Sequence, residues 1–209
     1  EMVLIVAMLI AGMHFGLIYA TITRKQNNIF RSEITRSYLM MFAISTILIT
    51  LSLCVSSIYP TAISSLRHAA FQVASLMTTT GFATADCNTW TPFAMLILIF
   101  CSLVCGCAGS TAGGLKVDRM VLALKMLRNK LQSQQHPNAI MRIKVDGYSQ
   151  DKDMLNSVMV YIVAFLILIL IGTFLNTLFG CDLMTGFSAT LACVSNVGPG
   201  FGEVGTMDN

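Results

Sequence analysis

Two short polar segments, Thr78-Thr-Thr-Gly81 and Ser195-Asn-Val-Gly198, each end in glycine and each follow a short, moderately apolar run. A cation stripped of its water needs oxygen ligands instead, and backbone carbonyls in an extended loop offer them in successive rings. Glycine accepts backbone angles that turn a carbonyl toward an axis and lets neighbouring chains come close. A short helix ahead of such a loop directs the negative end of its dipole at the ion. Thr78, Thr79, Thr80, Gly81, Ser195, Asn196, Val197 and Gly198 are therefore candidate cation ligands. A lone Thr-Thr-Thr-Gly segment is usually just a loop. Here a shift of 117 residues places Gly81 on Gly198 and Thr78-Thr79-Thr80 on Ser195-Asn196-Val197, which is the mark of an internal repeat.

A second constellation is Gly106-Cys-Ala-Gly109-Ser-Thr-Ala-Gly113-Gly114, closed by Lys116. It interrupts an apolar run that opens at Pro92 and resumes from Leu115 to Leu127. Each glycine costs a helix about 1 kcal/mol relative to alanine, so the spacing predicts a broken membrane helix. Backbone freed at membrane depth must face water or protein. Gly106, Gly109, Ser110, Thr111, Gly113, Gly114 and Lys116 are read as a movable gate, since the glycines permit more than one arrangement and the hydroxyls can hold one of them. The plainer alternative is a packing kink where small residues admit a neighbouring helix. Lys116 and Arg119 could tune cation passage or simply anchor the chain at the inner interface.

The elements that must position these residues follow from hydropathy. Of 209 residues 55% are hydrophobic and 11% charged, against about a quarter charged in soluble domains. Residues 2–23, 37–58 and 154–179 are each long enough to cross a hydrocarbon core, which takes about 20 apolar residues. The first two are expected to be ordinary spans. Residues 66–77 and 183–194 are too short to cross and lead into the polar segments, so they read as re-entrant elements. The expected fold class is an all-α polytopic membrane protein of repeated helix–pore loop–helix units, with re-entrant pore helices and one broken transmembrane helix.

Charge sets the orientation. Twelve of the thirteen Lys and Arg lie between the first two apolar runs (Arg24, Lys25, Arg31, Arg36) or between the third and fourth (Lys116, Arg119, Lys125, Arg128, Lys130, Arg142, Lys144, Lys152). The positive-inside rule puts both connections, including a polar one at 129–153, in the cytoplasm and the stretch around Arg67 outside. Orientation thus accounts for the basic stretch without a nucleic-acid partner. Most of the seven cysteines sit in apolar or Gly-rich stretches and read as small hydrophobes; Cys105-Gly-Cys107 lacks a second pair at zinc spacing, and no transition metal is expected. Cys87 and Cys181 both face outward, where a bridge is permitted but not specified. His14 is read as facing a cavity or as a satisfied buried histidine, and Asp86 as concentrating cations at the outer mouth or as a cap. The rivals to ion transport are a membrane metalloenzyme built on Cys105, Cys107 and His14, and a non-conducting scaffold.

Phe71-Gln-Val-Ala-Ser-Leu-Met-Thr-Thr-Thr-Gly-Phe-Ala-Thr-Ala-Asp86, the Gly106–Lys116 stretch and Ser195-Asn-Val-Gly-Pro-Gly-Phe-Gly202 resemble the Trk/Ktr/HKT superfamily of potassium transporters, the TrkH-type branch most closely. The resemblance covers essentially the whole chain. It implies potassium uptake through a carbonyl-lined filter at Gly81 and Gly198, with K+ as the transported ion, no covalently bound cofactor and no enzymatic activity. It also implies an intramembrane gating loop at 106–114, where Ala112 stands in place of the family's more usual glycine. The implied setting is a multi-pass protein of the bacterial cytoplasmic (inner) membrane, in a homodimer on a cytosolic nucleotide-binding regulatory ring of the TrkA type. On a template of four repeats, 1–30 would be the last helix of a preceding repeat, 31–128 a complete repeat, 129–153 a cytoplasmic connection and 154–209 a final repeat without its last helix. On that reading the chain is a fragment.

Overall fold

Helix starts in this chain are written by side chains that accept otherwise unpaired amide protons. In the computed structural model, which describes residues 1–23, 29–135 and 143–205, Thr61 caps α4 (Ala62–Met77) by accepting from Ser64 N–H. Thr91, followed by Pro92 in the first turn, caps α5 (Pro92–Leu103) by accepting from Ala94 N–H. Asp182 caps α8 (Leu183–Ser195) through Met184 N–H.

Among the described residues two helices are long and apolar enough to cross a membrane, α3 (Glu33–Val55) and α7 (Lys152–Leu178). Their outer faces carry rows of exposed large hydrophobics, Ile44, Ile47, Leu48 and Leu51 on one and Ile167, Leu168, Leu170 and Ile171 on the other. Such faces suit hydrocarbon as solvent. By contrast the second half of α4 is buried without a break from Phe71 to Met77, although it is too short to span. A helix enclosed on all sides by protein is what a re-entrant element requires. The expected start of this element at residue 66 is corrected to Ala62 by the Thr61 cap.

Each long helix packs against the short helix that follows it, α3 on α4 and α7 on α8, and α5 on α8 joins the two units. The main core unites Ile49 and Leu53 of α3, Val73 and Met77 of α4, Leu98 and Cys101 of α5, Cys105, Cys107 and Ala112 of the Gly-rich loop, and Val197 and Phe201 after α8. A second cluster, Leu115, Phe165, Ile169 and Leu191, fastens α7 and α8 to the return limb of that loop.

The run from Pro92 is indeed interrupted. α5 ends at Leu103, and a parallel pair of two-residue strands, β1 (Val104–Cys105) and β2 (Leu115–Lys116), brackets the loop before α6 (Val117–Gln135). The pair reunites backbone groups that the break would leave unpaired, as does Val117 N–H donating to Gly106 C=O at 3.2 Å. α6 continues through 129–135, which were expected to belong to the polar connection.

The first apolar run departs from expectation. It is not an ordinary span but α1 (Met2–Ala11) and α2 (Phe15–Ile22), bent by 97°. Hydropathy cannot register this bend, because the groups that stabilise it belong to the Gly-rich loop far along the sequence.

At the end of α3 and α6 that carries Lys125, the hairpin β3 (Lys144–Val145) and β4 (Tyr148–Ser149) turns on Asp146 and Gly147, both at positive φ. Asp146 accepts from Ser32 Oγ at 2.8 Å and from Glu33 N–H at 2.6 Å, capping α3 from outside its own helix. Lys125 pairs with Glu33 at 2.6 Å and donates to Lys144 C=O. At the opposite end Arg67 pairs with Glu1 at 3.0 Å. Lys125 and Lys144 thus sit together at one end and Arg67 at the other, as charge-based orientation requires. Arg24, Lys25 and Arg142 lie outside the described residues.

Candidate functional site

The chain folds the two polar segments alike because each terminates a buried helix in the same way. After α4, Thr79 N–H donates to Leu76 C=O at 3.1 Å and Thr80 N–H to Ser75 C=O at 2.8 Å. After α8, Asn196 N–H donates to Cys193 C=O at 3.2 Å and Val197 N–H to Ala192 C=O at 2.9 Å. These bonds superpose under the 117-residue shift. Thr79 and Asn196 take the left-handed conformation at φ 54° and 56°, and Gly81 and Gly198 follow at φ 78° and 103°. A β-branched residue at positive φ is strained, so Thr79 is held there by its surroundings.

The two segments meet. A Cβ added at Gly81 would lie 2.6 Å from the Val197 carbonyl oxygen, and the nearest atom to one at Gly198 would be Gly81 Cα at 3.8 Å. Among the described residues no donor takes the carbonyl oxygens of Thr79, Thr80, Gly81, Asn196, Val197 or Gly198. Unclaimed carbonyls behind the C-terminal ends of buried helices make a cation-seeking environment.

Buried polar side chains brace these segments from behind. Ser75 Oγ donates to Phe82 C=O at 2.5 Å, and Gln72 Nε2 donates to Ala85 C=O at 3.0 Å and to Cys87 Sγ at 2.8 Å. Burial pushes the Cys87 thiol up to about 12, against the hydrogen bond from Gln72, with Asp86 adding to the rise. Asn88 donates to Gly202 C=O and accepts from Gly202 N–H, tying the outer loop of the first segment to that of the second. Asp86 is a cap, accepting from Asn88 N–H at 2.8 Å.

The Gly-rich loop lies against both segments. Gly113 N–H donates to Thr79 Oγ1 at 2.9 Å, which also occupies the side chain of the strained threonine. Ser195 C=O and Asn196 Cβ crowd the place where a Cβ on Gly113 would stand. Gly114, at φ 58°, is confined by Cys105 Sγ and Ser195 Cβ. Within the loop Ser110 Oγ donates to Cys107 C=O at 2.6 Å and accepts from Ala112 N–H, and Lys116 Nζ donates to Ala112 C=O. Thr111 Oγ1 instead reaches Ala11 C=O at 3.3 Å, outside the loop. Gly106 is pressed against Gly12 C=O, and Gly109 at φ 75° faces the His14 ring.

Every candidate ligand and gate residue therefore falls in one connected region. Gln72, Ser75 and Asp118 belong to it and were not among the candidates, and neither was the 11–15 bend apart from His14, which is half-buried and caps α2. Gln72 could have been found as an amide inside an apolar run. Asp118 accepts from Ala108 N–H, and its place just after the loop was the available clue. Arg119 is engaged elsewhere, 3.8 Å over the Tyr161 ring. All seven cysteines are free, Cys87 buried and Cys181 exposed, so no bridge joins them. Among the described residues no three His, Cys, Asp or Glu side chains gather where they could hold a metal ion.

The likeness to known proteins extends along the whole chain. The TrkH cation transport protein family model matches residues 1–208. The Trk system potassium uptake protein TrkH of Salmonella typhimurium is 30% identical over 203 residues, covering 97% of this chain and 42% of that protein. TrkH of Halomonas elongata is 32% identical over 207 residues, with the same coverage. The crystal structure of the potassium transporter TrkH from Vibrio parahaemolyticus matches with a TM-score of 0.88 at 29% identity, covering 96% of this chain and 43% of that one. The chain thus spans less than half the length of the curated relatives it matches. With helical architecture and family model in agreement over essentially all its residues, the chain belongs to the TrkH family of cation transport proteins.

Proposed function

We propose that this chain forms part of the potassium-conducting pore of a Trk-type uptake system, with Thr78–Gly81 and Ser195–Gly198 as two segments of its selectivity filter. The observation that carries this reading is the duplicated geometry: two segments with the same hydrogen bonds, the same left-handed residue and the same positive-φ glycine, facing each other with carbonyls unclaimed. Such oxygens replace the hydration shell of an entering cation. Potassium as the ion follows from what the relatives are named for.

The Gly-rich loop is the gate of this pore. Its place at the helical ends of both segments supports that role, since an ion leaving the filter inward meets residues 109–114 first. Two filter segments cannot enclose an ion alone, and the relatives are more than twice as long, so the ring is completed by chain beyond these residues. Residues 31–128 make one repeat, 154–209 belong to the next, and 1–30 close the one before. The complete protein works in the bacterial cytoplasmic membrane as a homodimer, joined at its basic face to a cytosolic nucleotide-binding ring. The test is potassium-dependent growth of an uptake-deficient bacterium carrying the complete gene, followed by potassium flux in liposomes. Folded protein that neither rescues growth nor carries flux would favour a scaffold.

A further inference from the structure

The bend between α1 and α2 has a chemistry of its own. Four hydrogen bonds cross between residues 11–15 and the Gly-rich loop. Cys107 N–H donates to Gly12 C=O at 2.9 Å, Thr111 N–H and Oγ1 donate to Ala11 C=O at 3.4 and 3.3 Å, and Phe15 N–H donates to Gly109 C=O at 3.1 Å. Among the described residues the loop makes a single hydrogen bond to the 78–81 segment, from Gly113. Its position is thus fixed from the bend more than from the filter side.

His14 stands at the centre of this contact. Its backbone is extended at φ −69°, ψ 109°, and its Nδ1 caps α2 by accepting from Gly16 N–H at 3.0 Å, which fixes the ring. The ring then lies face-on to Gly109. The position of a Cβ there would be 3.1 Å from Cε1, 3.2 Å from Nε2 and 3.3 Å from Nδ1, three nearly equal distances. Tyr38, buried on α3, adds its hydroxyl to Leu9 C=O at 3.3 Å one turn before the bend.

We propose that the bend at residues 11–15 is the anchoring half of the gate, and that His14 is the positioning residue whose ring clamps Gly109 and holds the loop beneath the filter. The proposal rests on the pore reading above. It implies that opening separates the loop from the bend, so the helix pair α1–α2 of one repeat controls the gate of the next. A helix otherwise able to cross straight is kept broken because its freed backbone groups are the loop's partners.

The test uses the full-length protein in liposomes. His14→Asn keeps a good helix cap and removes the ring, whereas His14→Phe keeps a ring and removes the cap. Basal potassium flux is expected to rise about fivefold in His14→Asn, the low end of a typical coupling between sites, and to rise less in His14→Phe, whose ring still covers Gly109 but is no longer fixed by Gly16 N–H. Potassium over sodium preference stays unchanged in both. The reverse pattern would make His14 a helix cap only and overturn the clamp. A second measurement covers variants that fold poorly: Ala11→Cys with Thr111→Cys, at positions whose backbones are already hydrogen-bonded, is expected to cross-link on oxidation. Flux is then lost, and reductant restores it, while wild type under the same oxidation is unaffected. Failure to cross-link, or equal flux before and after reduction, would overturn the anchoring role. An unmutated protein without any potassium flux would instead remove the pore reading, and this proposal with it.

Discussion

Gly81→Ala is the substitution whose consequence can be followed furthest from geometry. Two terms act at this position. Gly81 sits at φ 78°, where a side chain costs about 1–2 kcal/mol. The new Cβ would also lie 2.6 Å from the Val197 carbonyl oxygen, well inside the ordinary contact of 3.4 Å and beyond. Backbone on both sides has to yield, and the atom displaced is a proposed ion ligand from the other filter segment. Gly198→Ala carries only the first term, because nothing lies closer than Gly81 Cα at 3.8 Å. Each tenfold of selectivity corresponds to about 1.4 kcal/mol of differential ion binding, so Gly81→Ala should lower the potassium over sodium preference about tenfold or more. Gly198→Ala should lower it less. Competitive flux of the two ions into liposomes, with size-exclusion profiles to confirm folding, reads both variants. Wild-type selectivity in Gly81→Ala, or a silent Gly81→Ala beside a damaging Gly198→Ala, would refute the assignment of these glycines to an ion path.

Deleting residues 108–113 from the full-length protein should raise basal potassium flux and leave ion preference largely intact, because the loop touches the proposed filter segments without supplying their carbonyls; flux measured before and after deletion decides it. Cys87 should resist alkylation at pH 8 while Cys181 reacts faster, since Cys87 is buried with its thiol raised to about 12 and Cys181 is exposed to the reagent; mass spectrometry of modified peptides gives the rates. The same shift stabilises the fold below the unfolded value of 9.0, and that stability fades as pH rises toward 12. Asp146→Ala should destabilise the first turn of α3 by about 1–2 kcal/mol, because Ser32 Oγ and Glu33 N–H lose their acceptor; faster amide exchange near residue 33 is the readout.

The membrane class and the repeat were legible because both are written in local pattern. A buried re-entrant helix must be short, apolar and followed by polar residues, and both copies obey this whatever surrounds them. The fine geometry was legible only in part. Glycine at 81 and 198 announced positive φ, but threonine at 79 did not, since nothing in its type favours φ 54°. Its conformation is held by the hydrogen bonds that end α4 and by Gly113 N–H on its hydroxyl, and the second of these comes from 34 residues away.

The bend in the first apolar run was illegible for a related reason, and that reason bears on mechanism. Residues 2–23 are apolar throughout, and neither Gly12 nor His14 forbids a straight helix. What breaks it is supplied by a loop about a hundred positions away, whose amides at Cys107 and Thr111 take the carbonyls of Gly12 and Ala11. The dependence is mutual. Without the bend, the loop would have backbone donors unpaired at membrane depth, and without the loop so would the bend, at several kcal/mol for each such group. Two interruptions that are each unfavourable alone become stable as a pair. For the proposed gate this means that parting the loop from the bend leaves both sets of backbone groups to be satisfied by water.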